Sequence, residues 1–233
     1  MNLRTNSIRT GIAGATLWAG VAAVALSSPA AADLLYEQTP QNGGAGFLSA
    51  IDLGSQSADN FILSVLSSLE SITWWGRPDV APGDEIFTIR IFGDSGGSPD
   101  SNPIFERTGV PIGGQTPATP IKDNLDNDVL EYTYDLSATP LALQPGVAYY
   151  VAVATQGDVF NWFWQQSGTG DGSNWCRQAD GDPWTLDANI CGEGDLAFRI
   201  EGTFERNVPE PGTLSLLGLG ALGLGALRRR KTK

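Results

Sequence analysis

The stretch Leu130-Glu131-Tyr132-Thr133-Tyr134-Asp135-Leu136 decides the fold class of this chain. Apolar or aromatic residues occupy every second position, and polar residues occupy the positions between them. Successive side chains of a β-strand point to opposite faces, so this alternation predicts a strand with one face buried. The stretch has no helical period, which would place apolar residues three and four positions apart.

The same alternation, or a short apolar run bounded by turn residues, recurs along the chain. The further segments are 60–65, 69–76, 87–91, 104–108, 147–155, 159–165 and 196–204. Links such as Gly93-Asp94-Ser95-Gly96-Gly97 and Gln144-Pro145-Gly146 are typical of turns. Eight or nine short strands without a sustained amphipathic helix predict an all-β fold, an antiparallel β-sandwich of which the jelly roll is one form.

Composition excludes several function classes. The 233 residues contain 14 Lys and Arg, 26 Asp and Glu and no His, which gives a formal net charge of −12. Without histidine the chain cannot form a Ser-His-Asp or Cys-His nucleophile or a His-ligated zinc site. Because phosphate binding needs a basic surface, the acidity also excludes nucleic acid as a partner.

Residues 1 to 32 have the pattern of a secretory signal peptide. Arg4 and Arg9 charge the first segment, residues 11 to 26 are uncharged and mostly apolar, and Pro29-Ala30-Ala31-Ala32 offers a small-residue cleavage site. The pattern predicts passage through the Sec export machinery. An uncleaved N-terminal anchor is the alternative.

The C-terminal residues 207 to 233 have a different, three-part pattern. A Pro-Glu-Pro motif precedes 16 apolar or small residues, and a basic cluster follows them. The motif is Val208, Pro209, Glu210 and Pro211, and the basic cluster is Arg228, Arg229, Arg230 and Lys231. As a helix the apolar segment would reach about 24 Å, a marginal transmembrane span. The basic end favours the cytoplasm, which places residues 33 to 206 outside.

This tail resembles the PEP-CTERM sorting signal of Gram-negative bacteria, because motif, span and basic end occur in order at the C-terminus. The resemblance implies recognition by an exosortase after transient anchoring in the inner membrane. Removal of the tail and delivery to the cell surface or the extracellular exopolysaccharide matrix of a biofilm would follow. A plain tail anchor is the alternative. The intervening segments also look, more loosely, like the β-sandwich ectodomains that often precede this signal.

The chain therefore divides into a signal peptide (1–32), an extracellular β-sandwich domain (33–206) and a sorting signal (207–233). The middle domain holds seven basic and 25 acidic residues, a formal charge of −18. Such a charge keeps an exported protein soluble and repels acidic polymers unless divalent cations bridge them.

Cys176 and Cys191 are the two cysteines of the chain, and both lie in the exported domain. An even number of cysteines in an oxidising compartment predicts a disulfide. Closing a loop of this size stabilises the folded state by about 3 kcal/mol in the chain-entropy model. A redox-active pair is the less favoured alternative, because such pairs usually have the Cys-x-x-Cys spacing.

Six of the seven tryptophans lie in the exported domain. Core packing is the favoured interpretation of Trp162 and Trp164. Of Trp74 and Trp75, which face opposite sides of one strand, one is expected to pack and the other to point outward or under a loop. Trp75, Trp175 and Trp184 are candidates for an exposed, sugar-binding aromatic platform.

Two acidic segments offer oxygen ligands that could suit Ca²⁺. They contain Asp123, Asp126, Asp128, Asp180 and Asp182. Neither segment has the EF-hand spacing, and Asp, Asn and Gly are ordinary turn residues, so solvated turns are the favoured interpretation. The sequence predicts no required cofactor, with calcium as the alternative.

The sequence as a whole predicts a secreted, non-catalytic protein of the cell surface or exopolysaccharide matrix with a structural or adhesive role. A carbohydrate-binding module that uses exposed Trp residues is the first alternative. A glycan-cleaving enzyme is the more distant one, since it needs two facing carboxylates and 25 acids always permit a pair somewhere.

Overall fold

Strands dominate the part of the chain that can be described in three dimensions. The structure is a computed structural model and describes residues 32–204 except residues 82 and 158–160. The predicted signal peptide, apart from residue 32, and the predicted sorting helix lie outside the described residues.

The described residues contain twelve strands and one helix of four residues. The strands are β1 (Asp33–Gln38), β2 (Gly46–Leu48), β3 (Gln56–Ile62), β4 (Ser67–Pro78), β5 (Asp84–Asp94), β6 (Pro99–Gly113), β7 (Leu130–Asp135), β8 (Leu141–Leu143), β9 (Ala148–Thr155), β10 (Trp162–Gln165), β11 (Trp175–Arg177) and β12 (Phe198–Phe204). The helix is α1 (Ala188–Cys191), and a 3₁₀ turn covers Ile51–Leu53. The predicted all-β class is confirmed.

The strands form two antiparallel sheets. In the first sheet, β12 and β10 pair with one edge of β4, and β8 and β7 pair with its opposite edge. β1 pairs with the free edge of β12, and β2 pairs with the free edge of β10. The second sheet has the order β11-β3-β9-β5-β6. The long strand β4 can serve so many partners because its twelve residues pair in turn with two strands on each edge.

One hydrophobic core lies between the inner faces of the two sheets. Alternation along β5 directs Phe87, Ile89 and Ile91 inward, and all three are fully buried. Trp74 of the first sheet meets Phe87 of the second edge-to-face, with ring centroids 5.1 Å apart. Trp162 is also fully buried, as the sequence predicts. The shared core is the packing that a β-sandwich requires, and the jelly-roll form stays a prediction.

Four strands have no counterpart in the sequence analysis. Three of them, β2, β8 and β11, are only three residues long, too short for an alternating pattern to stand out. The fourth, β1, directly follows the predicted cleavage site. The predicted strand over 60–65 is also too long, because β3 ends at Ile62 and Val65 is 45 % exposed beyond it.

The outward-facing Trp75 is covered as well. Trp74 and Trp75 do point to opposite faces of β4, but both are buried, and Trp75 is only 4 % exposed. It packs against Val129 and Ala197, and its Nε1 donates to the Glu131 carboxylate at 3.1 Å. The prediction that Trp75 lies on an exposed platform is therefore wrong, because this part of the first sheet is covered by neighbouring segments.

Candidate functional site

The disulfide predicted from the sequence is present and fixes a loop on the second sheet. Cys176 lies in β11, which pairs with β3, and it is bonded to Cys191 at the end of α1. Thr185 returns to form a β-bridge with Cys176. We call residues 176–191 the disulfide loop. Its base is held by strand pairing and by the covalent bond together.

Both tryptophans near this loop are half-buried against the outer face of the second sheet. Trp184 packs edge-on against Phe92, with ring centroids 5.3 Å apart, and Trp175 packs edge-on against Tyr150 at 6.3 Å. The Arg177 guanidinium carbon lies 4.5 Å from the centroid of the Trp184 ring. One face of Trp184 is thus occupied by a cation–π contact and cannot stack on a sugar.

Two arginines are buried beneath the loop. Arg90 of β5 is 7 % exposed and Arg177 of β11 is 5 % exposed. Gln56 of β3 joins them, since its Oε1 accepts from Arg90 Nη1 at 2.8 Å and from Arg177 Nη2 at 3.1 Å. The alternation that turns Phe87, Ile89 and Ile91 inward places Arg90 on the outer face.

The carboxylate of Asp180, in the disulfide loop, pairs with both arginines. It accepts two hydrogen bonds from Arg90, at 2.8 and 2.9 Å, one from Arg177 at 2.8 Å and one from Gln56 Nε2 at 3.0 Å. Burial raises the pKa of Asp180, but the hydrogen bonds from Arg90 and Gln56 and the two positive charges outweigh it and leave the pKa below its ordinary value. Asp180 is thus an ionised, strongly oriented acceptor.

A pocket of about 270 Å³ opens beside this cluster, between the disulfide loop and β6. Arg90 and Arg177 are its buried members, and Asp180 and Glu106 are more exposed, with side chains 56 % and 38 % accessible. Arg90 Nη2 also reaches Glu106 Oε1 at 3.5 Å. The pocket is further lined by Ser101, Asn102, Pro103 and Gly181. We call it the arginine pocket.

Sequence reasoning found Trp175, Trp184, Asp180 and Asp182 but missed the two arginines, which contact Asp180 and, through Arg177, Trp184. A signal was present, because Arg177 directly follows Cys176 and Arg90 interrupts an apolar strand in a domain with few basic residues. Nothing in the sequence links these residues to Gln56 or Glu106, since their contact arises from strand register.

The proposed calcium ligands have other partners in the structure. Asp123 is buried, forms a close ion pair with Arg77 Nε and accepts backbone N–H groups of Leu125 and Asn127, so it organises its own turn. Asp128 pairs with Lys122 at 2.8 Å. Asp126, in the same turn, has a left-handed backbone with φ of 65°.

In the second segment the Asp180 carboxylate accepts hydrogen bonds from Arg90 and Arg177, and Asp182 Oδ2 accepts from the Ala179 N–H at 2.9 Å. In the part of the chain that the structure describes, no three acidic or cysteine side chains are grouped so that they could hold a metal ion. The local hydrogen bonds agree with the favoured interpretation of both acidic segments as turns.

Two further carboxylates, Asp59 and Asp195, lie near each other but inside the fold. Asp59 is fully buried and accepts the N–H groups of Leu196 and Asn60. Burial raises its pKa well above the ordinary value, because the charged form loses solvation. Asp195 is 5 % exposed and accepts the N–H groups of Asp171 and Gly172. Both therefore act as acceptors for backbone N–H groups, Asp59 from within β3.

Comparison with known protein families identifies the end of the chain. Residues 207–231 match the family model of the PEP-CTERM protein-sorting motif. The chain carries a PEP-CTERM sorting motif. The search of curated proteins finds no match to the chain.

The PEP-CTERM motif supports a secreted protein that is processed by an exosortase after passage through the membrane. Its residues, Val208 to Pro211 and Arg228 to Lys231, lie outside the described residues. Within residues 32–204, apart from the undescribed positions, no helix has the length and apolar character that crossing a membrane requires.

Proposed function

We propose that the exported domain is a non-catalytic structural or adhesive component of the cell surface or exopolysaccharide matrix. The observation that carries the proposal is the PEP-CTERM motif at residues 207–231, behind an all-β domain whose strands begin at Asp33. The domain's formal charge of −18 is consistent with an exported protein, because the charge keeps such a protein soluble.

A non-catalytic role is supported by how the acidic side chains are used. The buried Asp59 and Asp195 accept backbone N–H groups, and Asp123 and Asp180 are paired with arginines. A retaining or inverting glycosidase needs two carboxyl groups that face a sugar across an accessible cleft. The buried pair Asp59 and Asp195 lacks that access. Asp180 does face Glu106 across an open pocket, but four hydrogen bonds from Arg90, Arg177 and Gln56 hold its carboxylate and keep its pKa below the ordinary value, which is unsuited to an acid catalyst.

The sorting step is tested by intact-mass measurement on protein extracted from the cell surface. We expect mature protein that lacks residues 1 to 32 and the segment after the Pro-Glu-Pro site. Replacing Pro209, Glu210 and Pro211 with Ala should leave the tail attached and hold the protein in the inner membrane. Thr213→Ala, two residues after the Pro-Glu-Pro site, is the matched control. Surface-extracted protein with its full tail would refute sorting by an exosortase.

Carbohydrate binding through Trp175 and Trp184 is the second candidate function. It is favoured by the position of the two half-exposed rings, since Trp184 lies in the disulfide loop and Trp175 directly precedes Cys176. If the rings bind glycan, the double Ala variant should lose retention on the organism's own exopolysaccharide and remain folded. Retention that survives this change but disappears with a chelator would instead indicate bridging by divalent cations.

A further inference from the structure

The arginine pocket has features that the proposed structural role does not require. Arg90, Arg177 and Gln56 come from three strands of one sheet, β5, β11 and β3, and hold the Asp180 carboxylate with four hydrogen bonds of 2.8 to 3.0 Å. Anchoring the disulfide loop needs less, because Cys176–Cys191 and the pairing of β11 already fix its base. The arrangement leaves an oriented carboxylate on an open pocket.

The acceptors around this pocket face it from two sides. Asp180 belongs to the disulfide loop, and Glu106 and Asn102 belong to β6 across the pocket. All three are exposed, whereas the arginines that orient Asp180 and Glu106 are buried. Planar acceptors held in place by buried donors lose little side-chain entropy when a ligand binds.

We propose that the arginine pocket binds a single ring of a neutral sugar. Adjacent hydroxyl groups of such a ring can donate to Asp180 and Glu106, while the Asn102 amide can donate or accept. The volume of about 270 Å³ lies just below the range of roughly 300 to 1,000 Å³ for ligand pockets, so it suits one ring rather than a longer chain. The proposal rests on the proposed location of the domain among glycans.

The charges of the pocket select a neutral ligand over an acidic one. The two arginines and the carboxylates of Asp180 and Glu106 leave the pocket with no formal net charge. Asp180 accepts from Arg90 Nη1 and Nη2 and from Arg177 Nη2, and it is tethered next to them. The donors without a partner, Arg90 Nε and Arg177 Nη1, are buried out of reach of a carboxylate ligand. The charge of −18 on the whole domain further repels an anion.

This mode of binding differs from an aromatic platform. Trp184 does not line the pocket, and one face of its ring is covered by Arg177. Polar side chains on β6 and in the disulfide loop would therefore determine affinity, with Pro103 as an apolar neighbour. Sugar binding that depends on Glu106 and Asn102, but not on Trp175, distinguishes the two modes.

The test uses mature protein purified from cells and isothermal titration with glucose, galactose, mannose and glucuronate, each up to about 100 mM. We expect saturable binding of at least one neutral hexose with a Kd in the millimolar range, on the order of 4 kcal/mol of binding free energy. Glucuronate should bind more weakly than glucose. Glu106→Gln and Asn102→Ala should each weaken the hexose about fivefold or more, the effect of losing one hydrogen bond.

Thr108→Ala, on the same strand but outside the pocket, is the matched control and should leave the Kd unchanged. Glu106 and Asn102 are exposed, so thermal unfolding of these variants should match that of the native protein. The proposal is overturned if none of the hexoses binds, or if binding ignores both variants. Tighter binding of glucuronate, strengthened by Asp180→Asn, would identify an anion site and overturn it too. Each result concerns purified protein, so it is independent of tail processing.

Discussion

The two faces of strand β5 are held by different forces. On the inner face Phe87, Ile89 and Ile91 are fully buried among apolar and aromatic side chains of both sheets. On the outer face Arg90 lies in a network with Gln56 and the Asp180 carboxylate. One alternating sequence therefore supplies a hydrophobic core on one side and the base of a polar pocket on the other.

The apolar inner face of β5 stabilises the fold, whereas the polar outer face forms the base of the arginine pocket. Apolar burial contributes to stability in proportion to area and is insensitive to pH. The outer network depends on ionised groups, on one disulfide and on a loop that is open to solvent. Substitutions on the two faces should accordingly change the free energy of unfolding by different amounts. Only the changes on the outer face should depend on pH and redox state.

The largest loss of stability is expected from the inner core. Trp74 is fully buried and packs against the rings of Phe87 and Tyr132, with ring centroids 5.1 and 5.9 Å apart. Trp74→Ala should lower the free energy of unfolding by about 3 to 5 kcal/mol, measured by urea denaturation. Trp184→Ala, which removes a half-buried ring from the outer face, is the control and should cost less. Equal losses would mean that both faces contribute alike to the core.

The next largest effect is expected from the disulfide. Replacing Cys176 and Cys191 with Ser should lower the free energy of unfolding by about 3 kcal/mol, because the unfolded chain regains the entropy of a 15-residue loop. The far-UV circular dichroism signal of the sheets should persist, since both cysteines lie outside the main core. Loss of that signal would show that the bridge supports the whole fold rather than the outer loop.

Sequence alone predicts the inner face well because burial imposes a period of two. The segments around Phe87, Leu130 and Phe198 follow that period, and each contains a strand. Short strands such as β8 escape prediction because three residues carry too little pattern. Strand order is also invisible to this reasoning, since pairing between β4 and β12 joins residues far apart in the chain.

The outer face is harder to predict because it depends on register rather than composition. The sequence indicates the disulfide, and Trp175 and Trp184 stand out near it. Arg90 becomes part of the same cluster only because β5, β9, β3 and β11 pair in one sheet. The burial of Trp75 is missed for a related reason, since its cover comes from Val129 and Ala197 in distant segments.

A smaller effect is expected from the carboxylate that closes the outer network. Asp180→Asn removes a charge that pairs with Arg90 and Arg177, but its side chain is 56 % exposed, and water compensates part of the loss. We expect the free energy of unfolding to fall by about 1 to 2 kcal/mol at pH 7. Asp182→Asn, in the same loop, changes a carboxylate that accepts one backbone N–H and should have less effect. Chemical denaturation of both variants measures the two losses, and an equal loss for Asp182→Asn would contradict the role given to Asp180.

The last comparison concerns direction rather than size, because two carboxylates should give pH dependences of opposite sign. Burial raises the pKa of Asp59, so the folded state holds a proton there more tightly than the unfolded chain, whose Asp pKa is about 3.9. Stability from Asp59 is therefore present at low pH and is lost as pH rises through the raised folded pKa. For Asp180, whose pKa is lowered, stability is present above about pH 4 and is lost as pH falls through the folded pKa.

The difference in unfolding free energy between native protein and variant isolates each group. For Asp59→Asn this difference should shift in favour of the native protein as pH falls from 7 to 5, by no more than about 1.4 kcal/mol per pH unit for one proton. For Asp180→Asn it should stay constant over that range and shrink below about pH 4, where the native carboxylate takes up its proton. Urea titrations at four pH values measure both curves. A flat Asp59 curve would mean that its hydrogen bonds from Leu196 and Asn60 fully offset its burial, and only the outer carboxylate would then make stability depend on pH.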